Sequence, residues 1–268
     1  MNISELERVI FRKKSYLCVG LDPDIQKLPA HLPKTAEGVL EFCLAIIEST
    51  AAFSVAYKIN TAFFENLGAA GWKVMSVIFE ELTKRGIYSI ADAKRADIGN
   101  TSEQYASAFF EKLGADSITL SPYMGQDSIG PFLNYKDKAA ILLALTSNPG
   151  HIDFEMLRLE NGKRLFEQVI ETSQSWPRLG DLMFVVGATR SEEIQNVRRI
   201  SPDNFLLVPG VGAQGGSLED VSKYGLTEKG GLLINASRSI IYAGQDLDFA
   251  EKAGHEAEKL AKTMAIYV

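Results

Sequence analysis

The sequence predicts an α/β fold, a single (β/α)8 TIM barrel with an extra helical segment after strand five. Short apolar runs alternate with longer amphipathic runs eight times along the 268 residues. The apolar runs are continuous, as expected for strands that are covered on both faces. No linker rich in Pro, Gly or Ser divides the chain, so we expect residues 1–268 to form one domain.

Strands and helices are expected to follow one another in order. A capping box of Ser4 and Glu7 is expected to open an amino-terminal helix. The charged segment that starts at Ser89 forms the third strand and leads into a helix that Thr101 and Gln104 could help to cap, running to about residue 113. The other strands are expected at residues 16–22, 53–60, 117–120, 139–145, 182–186, 205–208 and 232–234, and further helices at 36–52, 70–85, 163–175 and 248–264.

A doubly wound open sheet is the alternative fold. Such a sheet usually has fewer strands and a glycine-rich fingerprint after the first one. This chain instead has Asp22-Pro23-Asp24 at that place, which cannot cradle a dinucleotide. The barrel is therefore favoured.

Composition limits the classes of partner. The net charge of −6 and the pI near 5.3 argue against a nucleic-acid or acidic-membrane surface, so local groups must bind any anionic ligand. Cys18 and Cys43 lie in apolar surroundings and are interpreted as buried, reduced thiols. There is no apolar run of membrane-spanning length and no signal-peptide pattern, which predicts a soluble, cytoplasmic protein.

A charged motif, Asp92-x-Lys94-x-x-Asp97, stands where the third strand should end. Side chains alternate across a strand, so Asp92 and Lys94 are expected to point the same way. A solvated loop rich in charge is the alternative. The apolar residues before the motif and its place in a repeating architecture favour a functional site.

Active sites of TIM barrels lie at the carboxyl ends of the strands, where this sequence concentrates polar residues. The residues expected to face one mouth are Asp22, Lys58, Asp92, Lys94, Ser121, Gln214 and Arg238.

The ends of strands seven and eight predict a phosphate site. The glycine-rich turn 210–216, with Gly210 and Gly212, would free backbone N–H groups, and Arg238 would add a planar guanidinium. The alternative is that these glycines only make tight turns and that Arg238 is a surface residue. The position after strands seven and eight favours the phosphate site.

The other end of the mouth is expected to be reactive. Lys58, Lys94, Asp92 and Asp97 would hold one another charged, because each ion has neighbours of opposite sign. Lys94 would then be a cation and a proton donor, poorly suited to Schiff-base formation. This favours a reaction in which negative charge develops on a substrate carbon and is quenched by a proton, while Asp92 repels a carboxylate that leaves as CO2.

These residues resemble the orotidine 5′-phosphate decarboxylase family, and the opening of the segment after strand five resembles its larger bacterial branch. The resemblance covers the whole chain. It rests on Gly20-Leu21-Asp22-Pro23, Tyr57-Lys58-Ile59-Asn60, Asp92-Ala93-Lys94-Arg95-Ala96-Asp97-Ile98 with Thr101, Ser121-Pro122-Tyr123, Thr146-Ser147-Asn148-Pro149-Gly150, Pro209-Gly210-Val211-Gly212 with Gln214, and Ser237-Arg238.

The resemblance implies conversion of orotidine monophosphate to uridine monophosphate in pyrimidine synthesis, without metal or organic cofactor. It also implies a homodimer in which Asp97 and Thr101 enter the neighbour's pocket. The roles it implies are protonation of carbon 6 by Lys94, with Asp92 beside the leaving carboxylate, Lys58 and Asp22 on the ribose hydroxyls, Ser121 on the pyrimidine, and Gln214 and Arg238 on the phosphate.

Two other functions remain open from the residues. A related barrel could decarboxylate or cleave a sugar phosphate with magnesium, but such a site needs a carboxylate at the end of strand two. This chain has Lys58 there, which would repel the metal. A non-catalytic sensor of phosphate ligands is the second possibility, because a fold alone does not prove chemistry.

Overall fold

Eight parallel strands close into a barrel in sequential order, β1 to β8, which confirms the predicted (β/α)8 fold. The computed structural model of the chain describes residues 1–187, 191–210 and 217–268. The strands are β1 (Leu17–Leu21), β2 (Ala56–Asn60), β3 (Tyr88–Arg95), β4 (Ser117–Leu120), β5 (Ala139–Leu145), β6 (Asp181–Val186), β7 (Leu206–Pro209) and β8 (Leu232–Ala236).

Helices surround this barrel. Contacts between α12 and α2 and between α2 and α4 form part of the outer layer. The described helices are α1 (Ile3–Lys13), α2 (Ala36–Thr50), α3 (Thr61–Glu65), α4 (Gly68–Lys84), α5 (Gly99–Ser107), α6 (Gln126–Leu133), α7 (His151–Phe154), α8 (Leu165–Gln174), α9 (Ser191–Ile200), α10 (Leu218–Gly225), α11 (Arg238–Ile241) and α12 (Phe249–Met264).

The N-cap of the first helix lies two residues before the predicted one. Asn2 is the N-cap residue, with an extended backbone, and its side chain accepts a hydrogen bond from the backbone N–H of Glu5. The Glu5 carboxylate in turn accepts from the Asn2 N–H at 2.8 Å, completing a capping box. The prediction of Ser4 with Glu7 was therefore wrong, because asparagine caps as well as serine and stands where the chain first turns.

The helix after β3 also begins differently from the prediction. Ile98 is the N-cap residue of α5 and makes no side-chain capping hydrogen bond, so Thr101 and Gln104 lie inside the helix and do not cap it. The helix continues as a π-helical turn, Ala108–Lys112. Gly114 follows with φ +75°, a left-handed conformation that suits glycine after a helix.

The core fills the barrel and the layer between strands and helices. Tyr16, Tyr57 and Tyr88 are among the largest fully buried side chains, and the Tyr57 hydroxyl lies 2.6 Å from the Thr50 hydroxyl. Cys18 and Cys43 are buried and free, as predicted, and burial raises the pKa of both thiols. The apolar strands thus form a packed interior that holds the strand ends in fixed positions.

The extra segment between β5 and β6 is helical, as predicted, and contains α7 and α8. Its anchor is Glu155, whose carboxylate accepts hydrogen bonds from the backbone N–H of Thr146 at 2.7 Å and from the Thr146 hydroxyl at 2.8 Å. Arg164, at the start of α8, pairs with Glu193 of α9 at 2.7 Å. The segment is therefore tied to the carboxyl end of β5 and to the helix after β6.

Candidate active site

A cavity of about 350 Å³ opens at the carboxyl ends of the strands. This is the end of the barrel at which TIM-barrel active sites are built. Its lining brings together six of the residues predicted from the sequence: Asp22, Lys58, Asp92, Lys94, Gly210 and Arg238.

Four of these residues form a line of alternating charges. The Lys58 ammonium nitrogen lies 2.7 Å from Oδ2 of Asp92 and 3.9 Å from Oδ1 of Asp22. The Lys94 ammonium nitrogen lies 2.6 Å from Oδ1 of Asp92. Each carboxylate oxygen of Asp92 therefore faces a different cation.

Burial makes these charges interdependent. Lys58 is 6% exposed and Asp92 is 8% exposed, whereas the Lys94 side chain is half exposed. Burial by itself would raise the pKa of Asp92, but the charges of Lys58 and Lys94 and their hydrogen bonds lower it to about 2. Burial by itself would lower the pKa of Lys58, but the carboxylates of Asp92 and Asp22 raise it. Asp92 and Lys58 are thus both held ionised inside the protein.

Asp22 is held in place by the segment that follows β8. Oγ of Ser237 lies 2.5 Å from Oδ2 of Asp22, and the Tyr242 hydroxyl donates to the backbone carbonyl of Asp22 at 3.1 Å. The close approach requires Gly20, because a Cβ there would lie 2.8 Å from Cβ of Ser237. The sequence Gly-x-Asp at the end of β1 therefore combines a small residue for packing with a carboxylate for the cavity.

Another part of the cavity wall lies at the ends of β7 and β8. Gly210 has φ +80° and lines the cavity with Ser237, Arg238 and Ser239. Backbone N–H groups and a guanidinium at this place in a barrel suit a phosphate group. The remaining residues predicted for this wall, Gly212 and Gln214, lie outside the described residues.

Three predicted site residues are placed elsewhere. Asp97 and Thr101 lie in the turn before α5 and at the start of that helix, and neither is among the described residues that line the cavity. The Asp97 carboxylate accepts a hydrogen bond from the Ile98 N–H at 2.8 Å. Ser121 is half buried after β4, outside that lining, and its N–H donates to the Arg95 carbonyl at 3.0 Å. Their roles stay predictions.

The cavity also contains residues that sequence reasoning did not assign to it. Thr146, Ser147 and Asn148 line it after β5, and Asn235 lines it from β8. Within the described part of the chain, the buried Oδ1 atom of Asn235 has no hydrogen-bond partner. Residues 146–148 could have been assigned to the cavity from the sequence, because they form a polar run directly after a strand, as the other predicted site residues do.

Apolar side chains complete the lining. Leu143, Val185 and Leu207 lie on β5, β6 and β7 and form one side of the cavity, together with Pro209. A planar, uncharged ring face can pack on such a surface, while its polar edges meet the charged residues on the other side. The cavity thus combines an apolar face, a set of charged side chains and a candidate phosphate site.

Two features are absent among the described residues. Within residues 1–187, 191–210 and 217–268, no group of three or more His, Cys, Asp or Glu side chains is arranged to hold a metal ion. None of the helices in these ranges combines the length and the apolar character needed to cross a membrane.

Fold and site together define an enzyme of the TIM-barrel class, with an ionic cluster beside a candidate phosphate site. The chain belongs to the orotidine 5′-phosphate decarboxylase / HUMPS family, whose model matches residues 15–253. The family predicted from the sequence is thereby confirmed.

Individual relatives agree with this assignment over the full length. An orotidine 5′-phosphate decarboxylase of Flavobacterium johnsoniae is 53% identical over 267 residues, which cover 99% of this chain and 97% of the relative. That of Porphyromonas gingivalis is 53% identical over 268 residues, with 99% and 97% covered. The solved structure of Leishmania donovani OMP decarboxylase is 38% identical, covers 98% of this chain and 99% of its own, and superposes with a TM-score of 0.83.

Proposed function

We propose that this chain is a carboxy-lyase that converts orotidine 5′-phosphate to uridine 5′-phosphate and CO2 in pyrimidine biosynthesis. The observation that carries the proposal is the alternating line of Asp22, Lys58, Asp92 and Lys94 at the carboxyl end of the barrel. Full-length relatives that are about half identical and carry this activity in their names support it. As part of the proposal, residues 1–268 act as one catalytic domain in the cytoplasm.

Lys94 is the proton donor in the proposed reaction. When the bond between carbon 6 and the carboxylate breaks, the electron pair stays on carbon 6, and a proton from the Lys94 ammonium group is transferred to that carbon. The cation also stabilises the developing negative charge before the transfer. Its contact with Asp92, at 2.6 Å, supports this role because the carboxylate stabilises the charged ammonium group among the residues that line the cavity.

Asp92 lies beside the leaving carboxylate in the proposed complex. Two negative charges held close together repel each other, and loss of CO2 relieves the repulsion. Asp92 remains ionised because it faces two cations, and its pKa of about 2 supports this role. Lys58 keeps the carboxylate in position from the buried side.

The other groups bind the nonreacting parts of the nucleotide. Lys58 and Asp22 are proposed to bind the ribose hydroxyls, which is supported by the buried Asp22 Oδ1 atom that has no hydrogen-bond partner among the described residues. Arg238 and Gln214 are proposed to hold the phosphate, with Gly210 and Gly212 supplying the turn. Ser121 is proposed to contact the pyrimidine.

The proposed enzyme is a homodimer, with Asp97 and Thr101 acting in the neighbouring subunit's site. Both residues lie away from the cavity lining of their own chain. Exposed apolar side chains stand next to them and at the end of the adjacent strand β4: Ile98 is 54% exposed and Tyr123 is 86% exposed. Apolar exposure of this kind is typical of a surface that is covered in an assembly.

The substrate, the absence of a required metal and the competing functions can be tested together. Purified protein treated with EDTA is mixed with orotidine monophosphate, and the orotate absorbance and the appearance of uridine monophosphate are followed. Turnover without added metal is expected. Turnover only of a sugar phosphate, and only with magnesium, would replace the proposal by the related barrel activity, and binding without turnover of either substrate would indicate a sensor.

A further inference from the structure

Thr119 is a buried residue whose hydroxyl contacts two parts of the charged motif. It lies on β4 and is 1% exposed, outside the described cavity lining. Its hydroxyl donates a hydrogen bond to Oδ1 of Asp92 at 3.0 Å. The same oxygen accepts a hydrogen bond from the backbone N–H of Lys94, also at 3.0 Å.

The contact arises from an irregularity between β3 and β4. Ala91 pairs with Ile118 and Arg95 pairs with Leu120, so three residues of β3 lie opposite Thr119 alone. The extra residues form a bulge, and Lys94 adopts a left-handed backbone conformation with φ +47°. A lysine rarely adopts this conformation, so surrounding contacts must hold it in place.

The Thr119 hydroxyl satisfies the group that the bulge leaves unpaired. A bulge removes the regular ladder partner of a backbone N–H, and a buried N–H without a partner is unfavourable. Here the Lys94 N–H donates to Thr119. The hydroxyl can accept this bond and still donate its own hydrogen, which it gives to Asp92.

Two sets of contacts therefore hold Asp92 and Lys94 relative to each other. Their side chains form an ion pair at 2.6 Å, and Thr119 joins the Asp92 carboxylate to the Lys94 backbone. The ion pair by itself leaves the long, half-exposed lysine side chain several rotamers, whereas a fixed backbone limits where its nitrogen can lie. A proton donor must be placed to within a fraction of an ångström to work well.

We propose that Thr119 is a positioning residue that holds the Lys94 backbone and the Asp92 carboxylate in the geometry needed for proton transfer. This inference rests on the proposed decarboxylase function. Thr119 is buried and is not among the described residues that line the cavity, so its loss should reduce the catalytic step and leave binding of the nucleotide intact. A serine at this position keeps the hydroxyl and should therefore fill the same role. A valine has nearly the same shape as threonine but lacks the hydroxyl, so it should not.

The test compares Thr119→Val and Thr119→Ser with a control on the same strand. Ser117 is also buried on β4, and its hydroxyl donates to the Ser89 carbonyl at 3.2 Å rather than to Asp92 or Lys94. Ser117→Ala therefore removes a buried hydroxyl without touching the site. The measurements are kcat and KM for orotidine monophosphate, and the affinity for uridine monophosphate.

We expect Thr119→Val to lower kcat by about 10- to 100-fold, the loss caused by a small misplacement of a reacting group. KM and the affinity for uridine monophosphate should change by less than about threefold, because the binding contacts remain. Thr119→Ser and Ser117→Ala should keep kcat within about threefold of wild type. If Thr119→Val yields no folded protein, Thr119→Cys, a weaker hydrogen-bonding partner, is expected to show the lowered kcat.

Three results would overturn the inference. They are an unchanged kcat in Thr119→Val (or in the cysteine variant), an equal loss in Thr119→Ser, or an equal loss in Ser117→Ala, which would indicate a general effect of strand stability. An inactive wild type would contradict the proposed function as well, whereas an active wild type with an equally active Thr119→Val would contradict only the role of Thr119.

Discussion

The carboxylate of Asp92 and the ammonium group of Lys58 lie 2.7 Å apart, on adjacent strands, and both side chains are more than nine-tenths buried. Each compensates the charge of the other inside the barrel. Removal of one partner leaves the other as an uncompensated buried charge, which destabilises a protein strongly. This pair therefore links the stability of the barrel to its proposed chemistry.

Asp92→Asn should lower both stability and activity. The asparagine has the same shape but cannot balance the buried Lys58, and we expect the free energy of unfolding to fall by about 3 kcal/mol. Turnover of orotidine monophosphate should be lost at the same time. Urea unfolding at neutral pH measures the stability change, and Asp246→Asn, which alters an exposed carboxylate, serves as control.

The contribution of Asp92 to stability should depend on pH in one direction. The pKa of Asp92 is lowered from 3.8 in the unfolded chain to about 2 in the folded protein. The ionised carboxylate therefore stabilises the fold fully above about pH 5, and this stabilisation is lost as the pH falls from about 5 towards 2. The stability advantage of wild type over Asp92→Asn should shrink by about 1 kcal/mol between pH 5 and pH 3. An advantage that stays constant or grows over this range would show that Asp92 is not stabilised as an anion.

Mixed dimers test whether two chains share each site. Asp97→Ala and Lys94→Ala are each expected to be inactive alone. A heterodimer of the two has one site with both native residues, and random pairing of equal amounts should restore about a quarter of wild-type activity. The chains are mixed under conditions that allow subunit exchange, and Lys94→Ala mixed with an inactive Lys94→Ala/Asp97→Ala chain is the control. No recovery in verified heterodimers would place Asp97 outside the neighbour's site.

Arg238→Ala should weaken binding of the phosphate and of nothing else. We expect the affinity for uridine monophosphate to fall by about 10- to 100-fold, the effect of losing hydrogen bonds to a charged group. Affinity for uridine, which has no phosphate, should not change. Calorimetric titration with uridine monophosphate and with uridine measures both affinities. The control variant is Arg12→Ala, which removes an exposed arginine. Equal losses for both ligands would contradict a phosphate role.

The barrel could be predicted because its signal is local and repeated. The strands consist mainly of short apolar runs that recur along the chain, and β4 and β5 begin and end at the predicted residues. The ends of the helices depend on single capping groups, which is why Asn2 was missed as the cap of α1. Structure that depends on a pattern over many residues can therefore be predicted from the sequence more reliably than structure that depends on a contact of one side chain.

The sequence predicted which charged residues form the site, but not how their backbone and side chains are arranged. The positions of Asp22, Lys58 and Asp92 at strand ends follow from the order of the elements. The left-handed backbone of Lys94 depends on a hydrogen bond to Thr119 of the neighbouring strand, and nothing within the charged motif indicates it. Asn235 was missed because the predicted strand ends at residue 234, whereas β8 continues to Ala236 and carries Asn235 into the cavity lining.

Lys94 is proposed to supply the proton in the decarboxylation, and the variant Lys94→Ala tests this role. The kcat for orotidine monophosphate is measured beside Lys73→Ala, which removes an exposed lysine of α4. We expect a folded Lys94→Ala protein whose kcat is lower by more than about 100-fold, and an unchanged control. A kcat of Lys94→Ala within about tenfold of wild type would contradict this role of Lys94, because another group would then supply the proton.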